Sequence, residues 1–196
     1  MDINWCGYAL IILLLYVCMK IYQESDVFNL KCIISNVDGK KYCVRERNKL
    51  ELAADRLANV NQKLTKLVNH CATTFPDREN VKRLKKGYNP KKIMETLPTS
   101  EYTAYSQNKG EKMAFCLNTE KEGDQLIDPN TLTFVALHEL AHIATKSIGH
   151  KEEFWNNFKF LLGEASKINI YEQVDYKKKP ARYCGTNIND NPYYDL

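Results

Sequence analysis

The chain has 196 residues, enough for one domain with a real core and a short appendage. Its 27% charged and 44% hydrophobic residues exclude a disordered protein. A net charge of +4 is too modest to call for a nucleic-acid partner.

Ile3 to Met19 carries no charge, and Lys20 closes the run. A spanning helix needs about 20 apolar residues, with a lower end near 17. Residues 1–22 therefore read as a transmembrane anchor that meets the membrane through residues 3–22. Trp5, Tyr8, Tyr16 and Tyr22 suit the two interfaces. A signal peptide is the rival. Asp2 is the only charged side chain ahead of the run, and no small-x-small cleavage site follows, so the anchor is preferred. The flank after it is the more basic one (Lys20, Lys31, Lys40, Lys41, Arg45, Arg47). The positive-inside rule then predicts a single-pass protein with its main domain on the cytosolic side.

Residues 23–44 read as a linker and a β-hairpin, with Asp38-Gly39 as a two-residue turn. In that register Cys43 faces Ile34 and is only a diagonal neighbour of Cys32. The seven cysteines show no C-x-x-C pair and no tight even spacing. Free buried thiols in a reducing environment are the expectation, with one disulfide left open.

The spacing predicts a helix from about Arg45 to Ala72, with Leu50, Ala53, Leu57, Val60, Leu64, Leu67 and Cys71 on one stripe. Such a stripe packs on its own domain more often than in a coiled-coil dimer, since only about three heptads are present. Residues 77–87 read as a short basic helix, and with Lys91 and Lys92 they form a basic cluster. A solvated face is the preferred reading; an anionic membrane surface or a nucleic-acid backbone is the functional alternative. Residues 101–107 and 111–117 are strand-like around the turn Asn108-Lys109-Gly110, and the second is expected at a sheet edge. Beyond residue 176 the chain reads as irregular.

Three of the four histidines fall within residues 138–150. Asp128-Pro129 starts a helix, as N-cap and first-turn proline. The helix contains His138-Glu139-Leu140-Ala141-His142 and is apolar nearly all round, so it is buried. Residues one turn apart share a face, so His138 and His142 can reach one ion. Glu139 lies beside that ion, where a general base acts on an activated water. Catalytic zinc takes three protein ligands. His150 is the third candidate, carried back by a turn at Gly149 into a second helix with Phe154, Phe158, Leu161, Leu162 and Ala165 inward. Two satisfied core histidines and a surface glutamate are the competing explanation of a lone H-E-x-x-H run. The third histidine and the buried helix argue for the metal. His70, at the end of the long helix, reads as structural or surface.

His138-Glu-Leu-Ala-His142, then Gly149-His150 and Phe154-Trp155, resembles the WLM and SprT-like zinc metalloproteases. Tyr105 to Leu117 and Pro180 to Gly185 resemble small WLM-like proteins of large DNA viruses. The resemblance implies an α+β zincin-like metalloprotease domain over residues 45–175, with a zinc-binding helix and an edge β-hairpin. Residues 176–196 would pack on it as a tail. It also implies Zn2+ held by His138, His142 and His150, Glu139 as catalytic base, and a protein or peptide substrate; the membrane location rests on the anchor, with a virion as the other location left open. Tyr183, in the tail motif, is a candidate to stabilise an oxyanion. In better-known relatives the substrates are often proteins cross-linked to DNA; the anchor and the lack of a DNA-binding module argue against that substrate here. A catalytically silent zinc-binding scaffold is the alternative function, and it would leave Glu139 without a task.

Overall fold

The computed structural model describes residues 5–24 and 30–194. Trp5–Glu24 is a 20-residue helix, α1. Its window Trp5–Tyr22 is not buried anywhere, and among the described residues it is the one helix long and apolar enough to cross a membrane. Of the linker expected over residues 23–31, 23–24 belong to α1 and 30–31 to the first strand, and 25–29 lie outside the described residues.

Leu30–Ile34 (β1) and Lys41–Arg45 (β2) form the anticipated hairpin. Its register differs from the expectation: Cys32 stands directly opposite Cys43. The loop is longer than two residues, with the Ser35 amide donating to the Lys40 carbonyl at 2.9 Å. Side chains impose this. Asp55 accepts from the Ser35 hydroxyl and the Asn36 amide, and Asp38 accepts from the Lys40 amide. Asp38 thus acts as a local acceptor rather than as the first residue of a tight turn. The facing pair Cys32–Cys43 is a disulfide, and Cys116–Cys184 is a second one. The expectation of free thiols is corrected for these four; Cys71 is a buried thiol.

Ile93–Glu95 (β3), Ala104–Gln107 (β4) and Lys112–Phe115 (β5) complete a five-stranded sheet in the order β1-β2-β3-β5-β4. β3 runs parallel to β2 and β5, whereas β4 is antiparallel to β5. The hairpin 104–115 does sit at the sheet edge, but the edge strand is β4 and not the expected 111–117 segment. Met113, Ala114 and Phe115 are all fully buried, so β5 is covered on both faces and belongs inside the sheet.

Two helices, α2 (Leu50–Thr74) and α4 (Pro129–Ala144), pack on this sheet, and α3 (Glu79–Gly87) and α5 (Glu152–Lys167) pack on those two helices. The predicted stripe of α2 is buried against its own domain. This helix starts later than the sequence suggested, because Arg45 stays in β2. The Arg45 amide donates to the Glu95 carboxylate at 2.7 Å, and its guanidinium reaches the carbonyls of Thr96, Leu97 and Lys121. Lys82, Lys85 and Lys86 are exposed on α3, and Lys82 pairs with Glu79 of the same helix.

The tail is more ordered than anticipated. Ala181–Tyr183 (β6) and Thr186–Ile188 (β7) form a small hairpin. Its two loop residues, Cys184 and Gly185, both have positive φ (48° and 81°), the signature of a type I′ turn. Their amides donate to the carbonyls of Asn118 and Thr119, and the Cys116–Cys184 bridge fastens the turn to the end of β5. The fold is α+β: one main sheet, with five α-helices among the described residues.

Candidate metal centre

Helix α4 begins as its sequence dictates. The Asp128 carboxylate accepts from the amides of Asn130 and Thr131 at 3.0 and 2.9 Å, with Pro129 in the first turn. Leu132, Leu137, Leu140 and Ala141 are fully buried. The helix ends at Ala144, earlier than Gly149, and the Thr145 hydroxyl donates back to the Ala141 carbonyl at 2.7 Å. Gly149 takes a left-handed conformation (φ 80°) and turns the chain so that His150 folds back over α4. His150 precedes α5 rather than opening it.

All three predicted ligands converge. His138 Nε2 lies 3.2 Å from His142 Nε2 and 3.0 Å from His150 Nε2. Their ligand atoms fall within 4.8 Å of one another. Tetrahedral zinc with bonds of about 2.0–2.1 Å spaces its ligands about 3.3 Å apart. Two neutral imidazoles can share one proton, but three nitrogens aimed at one point cannot all be paired that way. The donor set fits a cation, and three imidazoles suit zinc.

Burial first, and then the neighbouring imidazoles, lower His138 to about 3. Burial, His150 and Lys109 lower His142 to about 4. Both rings are thus neutral at physiological pH and present lone pairs, the form a metal requires. Phe154 of α5 holds the cluster from behind: its ring lies 4.8, 4.4 and 4.6 Å from the centroids of His138, His142 and His150. Phe158 adds a further edge contact to His138 at 5.3 Å.

The histidines open onto a cleft of about 1260 Å³ lined also by Glu139, Tyr102, Tyr105 and Lys112. One wall is the edge strand β4 with the segment leading into it. Glu139 is 6% exposed, and burial alone raises its carboxyl to about 8. A cation held by the three histidines would oppose that rise and favour the carboxylate, which in so dry a place is a strong proton acceptor. Tyr102 and Ile148 stand 65% and 87% exposed around the cleft mouth. Sequence reading did not single them out, since an isolated apolar residue in a loop carries no periodic signal.

Tyr183 is not in the cleft. Its hydroxyl donates to the Thr103 carbonyl at 3.0 Å, and the ring is buried, with the charge of Glu139 adding to the effect of burial in raising the phenol. Its hydroxyl proton is committed to that carbonyl, and Tyr183 is not among the residues that line the cleft. Tyr183→Phe is expected to lower stability by about 1 kcal/mol, the worth of one hydrogen bond, in a urea melt. Cleavage should stay within a few-fold of the parent; a loss of ~100-fold, the scale of a missing oxyanion donor, would restore the catalytic role. Of the two readings of His70, the structural one fits: its Nε2 sits 2.9 Å from Glu164 Oε2, bridging α2 to α5.

The WLM domain family matches residues 82–193, which include the three histidines, Glu139 and the tail hairpin. An uncharacterized protein of Acanthamoeba polyphaga mimivirus is 30% identical over 194 residues, covering 93% of this chain and 92% of that protein. An uncharacterized protein of Invertebrate iridescent virus 6 is 39% identical over 70 residues, 35% of this chain and 38% of that one. Among solved structures, the crystal structure of Wss1 from Saccharomyces cerevisiae has the same fold, with a TM-score of 0.50 and 17% identity over 64% of this chain and 87% of that one. With more than half of its length matched, and a relative aligned almost end to end, the chain belongs to the WLM domain family.

Proposed function

We propose that this chain is a membrane-anchored zinc metallopeptidase that hydrolyses peptide bonds in a protein or peptide substrate. The convergence of three neutral imidazole nitrogens beside a buried carboxylate, in an open cleft, carries this reading. His138, His142 and His150 would hold the ion. Bound zinc supplies Lewis acidity: it makes water acidic enough to ionise near neutral pH and polarises a carbonyl. Glu139 takes the water proton and returns it to the leaving amine. The free edge of β4 lays out an extended peptide across the cleft by strand addition. Phe154 keeps the back of the site dry and holds the imidazole rings in place.

Helix α1 supports the anchor. It is 20 residues long, and its window Trp5–Tyr22 is apolar and exposed. A signal sequence would share that profile. The lysines after α1 favour the cytosolic side. The two disulfides favour an oxidising compartment instead. The bridges carry more weight, because the charge bias rests on few residues near the span and long domains cross membranes largely regardless of charge.

The test is zinc content and proteolysis by the full chain purified in detergent. One zinc per chain and cleavage of an unfolded protein substrate that stops with a chelator and returns with zinc are expected. Zinc bound without cleavage would turn the reading to a scaffold; no zinc would remove the metal site.

A further inference from the structure

We propose that Lys109 is a positioning residue for the metal centre, fixing the backbone between the second and third histidines. This rests on the zinc reading above. Lys109 comes from the turn between β4 and β5, far in sequence from α4. Its Nζ donates to the carbonyls of His142 at 3.1 Å, Thr145 at 2.8 Å and Ser147 at 3.0 Å. All three ammonium protons are used. These carbonyls are the ones a helix C-terminus and its following loop leave unsatisfied, and a cation there also meets the negative end of the helix dipole. The ammonium therefore grips the very carbonyl of His142 and two carbonyls of the loop that carries His150.

The turn that presents Lys109 is itself rigid. Asn108, Lys109 and Gly110 all have positive φ (47°, 57° and 106°). Gly110 and Gly87 pack backbone to backbone, so that a Cβ on either would collide with the other segment and with Ile143 of α4. The loop is held from its other side as well. Glu153 of α5 accepts from the amides of Lys146 and Ser147 at 3.0 and 3.2 Å. Arg83 of α3 donates to the Ala144 carbonyl at 2.8 Å and to Glu153 at 3.1 Å. Lys109 is the member of this clamp that comes from the edge hairpin, so it also sets the substrate-bearing strand β4 against the metal.

The experiment compares the full chain with Lys109→Met, Lys109→Arg and Lys86→Met. Methionine keeps the aliphatic stem and loses the donors. Lys86 is exposed on α3, lines with Lys109 a second cavity apart from the histidine cleft, and controls for the lost charge. Zinc affinity is read by chelator competition, and ligand geometry by the visible spectrum of the cobalt(II) form. Lys109→Met is expected to bind zinc roughly 10–100-fold more weakly, as loss of an outer support of a ligand does, with a changed cobalt spectrum. Lys86→Met should match the parent, and Lys109→Arg should recover most of the affinity. A Lys109→Met protein with parental zinc affinity and cobalt spectrum overturns the proposal, even if its melting temperature falls, since that would be packing alone. Failure of the parent itself to bind zinc is a separate outcome, and it removes the metal site along with the role of Lys109.

Discussion

Glu139→Gln is expected to stop peptide hydrolysis while the zinc stays bound. Glutamine matches glutamate in shape and leaves the three imidazoles untouched, but it cannot take a proton. General acid–base groups contribute about 10²–10⁴-fold to rate, and a loss in that range is predicted for the initial rate of fragment release from an unfolded protein substrate. Folding should survive, because the carboxyl is buried with desolvation as its dominant influence, and an uncharged amide is no harder to bury. The substitution thus separates metal binding from catalysis. Equal rates for the parent and Glu139→Gln, at equal zinc content, would remove Glu139 from the mechanism and leave the histidines as a structural site.

Glu95→Ala is expected to cost about 3–5 kcal/mol of stability, the scale for breaking a buried ion pair. Glu95 is wholly buried at the end of β3. It accepts from the Arg45 amide and from the Arg47 guanidinium, with the Arg45 side chain 3.5 Å away. Without it two largely buried cations lose their countercharge. Both also hold the segment that leads from β5 to α4, Arg45 through the Lys121 carbonyl and Arg47 through the Asn118 side chain. Denaturant melts of the metal-free chain measure the loss. A change below about 1 kcal/mol, the worth of an exposed pair, would mean that water reaches the cluster and screens it. Arg47→Met should cost less than Glu95→Ala, because Glu95 keeps its bond to the Arg45 amide.

This cluster illustrates what the sequence could not announce. Arg45 and Arg47 look like surface charges at the start of a helix. The fold instead draws them inward to a glutamate about fifty residues away, and so delays the start of α2 to Leu50. Lys109 is similar: beside a glycine turn it has no local signature, and its three acceptors come from residues 142–147. Cross-strand cysteine pairing was missed for a related reason. A two-residue shift in the hairpin loop, set by Asp55 from another helix, decides whether Cys43 meets Ile34 or Cys32.

Local rules carried the rest. The cap at Asp128, the one-turn spacing of His138 and His142, the positive φ of Gly149 and the stripes of α2 and α5 are all set by residues near one another in the chain. Short-range sterics and periodicity govern them, so the sequence alone placed the main helices and the one that carries His138 and His142, with His150 as the third histidine to converge there. Only the tertiary structure decided that β4 rather than β5 forms the edge, that the Tyr183 hydroxyl is bound to Thr103 and not in the cleft, and that four cysteines pair. Each of those depends on which distant segment arrives as neighbour. Burial on both faces of β5, and a carbonyl waiting at Thr103, are properties of the packed chain and of no stretch of it read by itself.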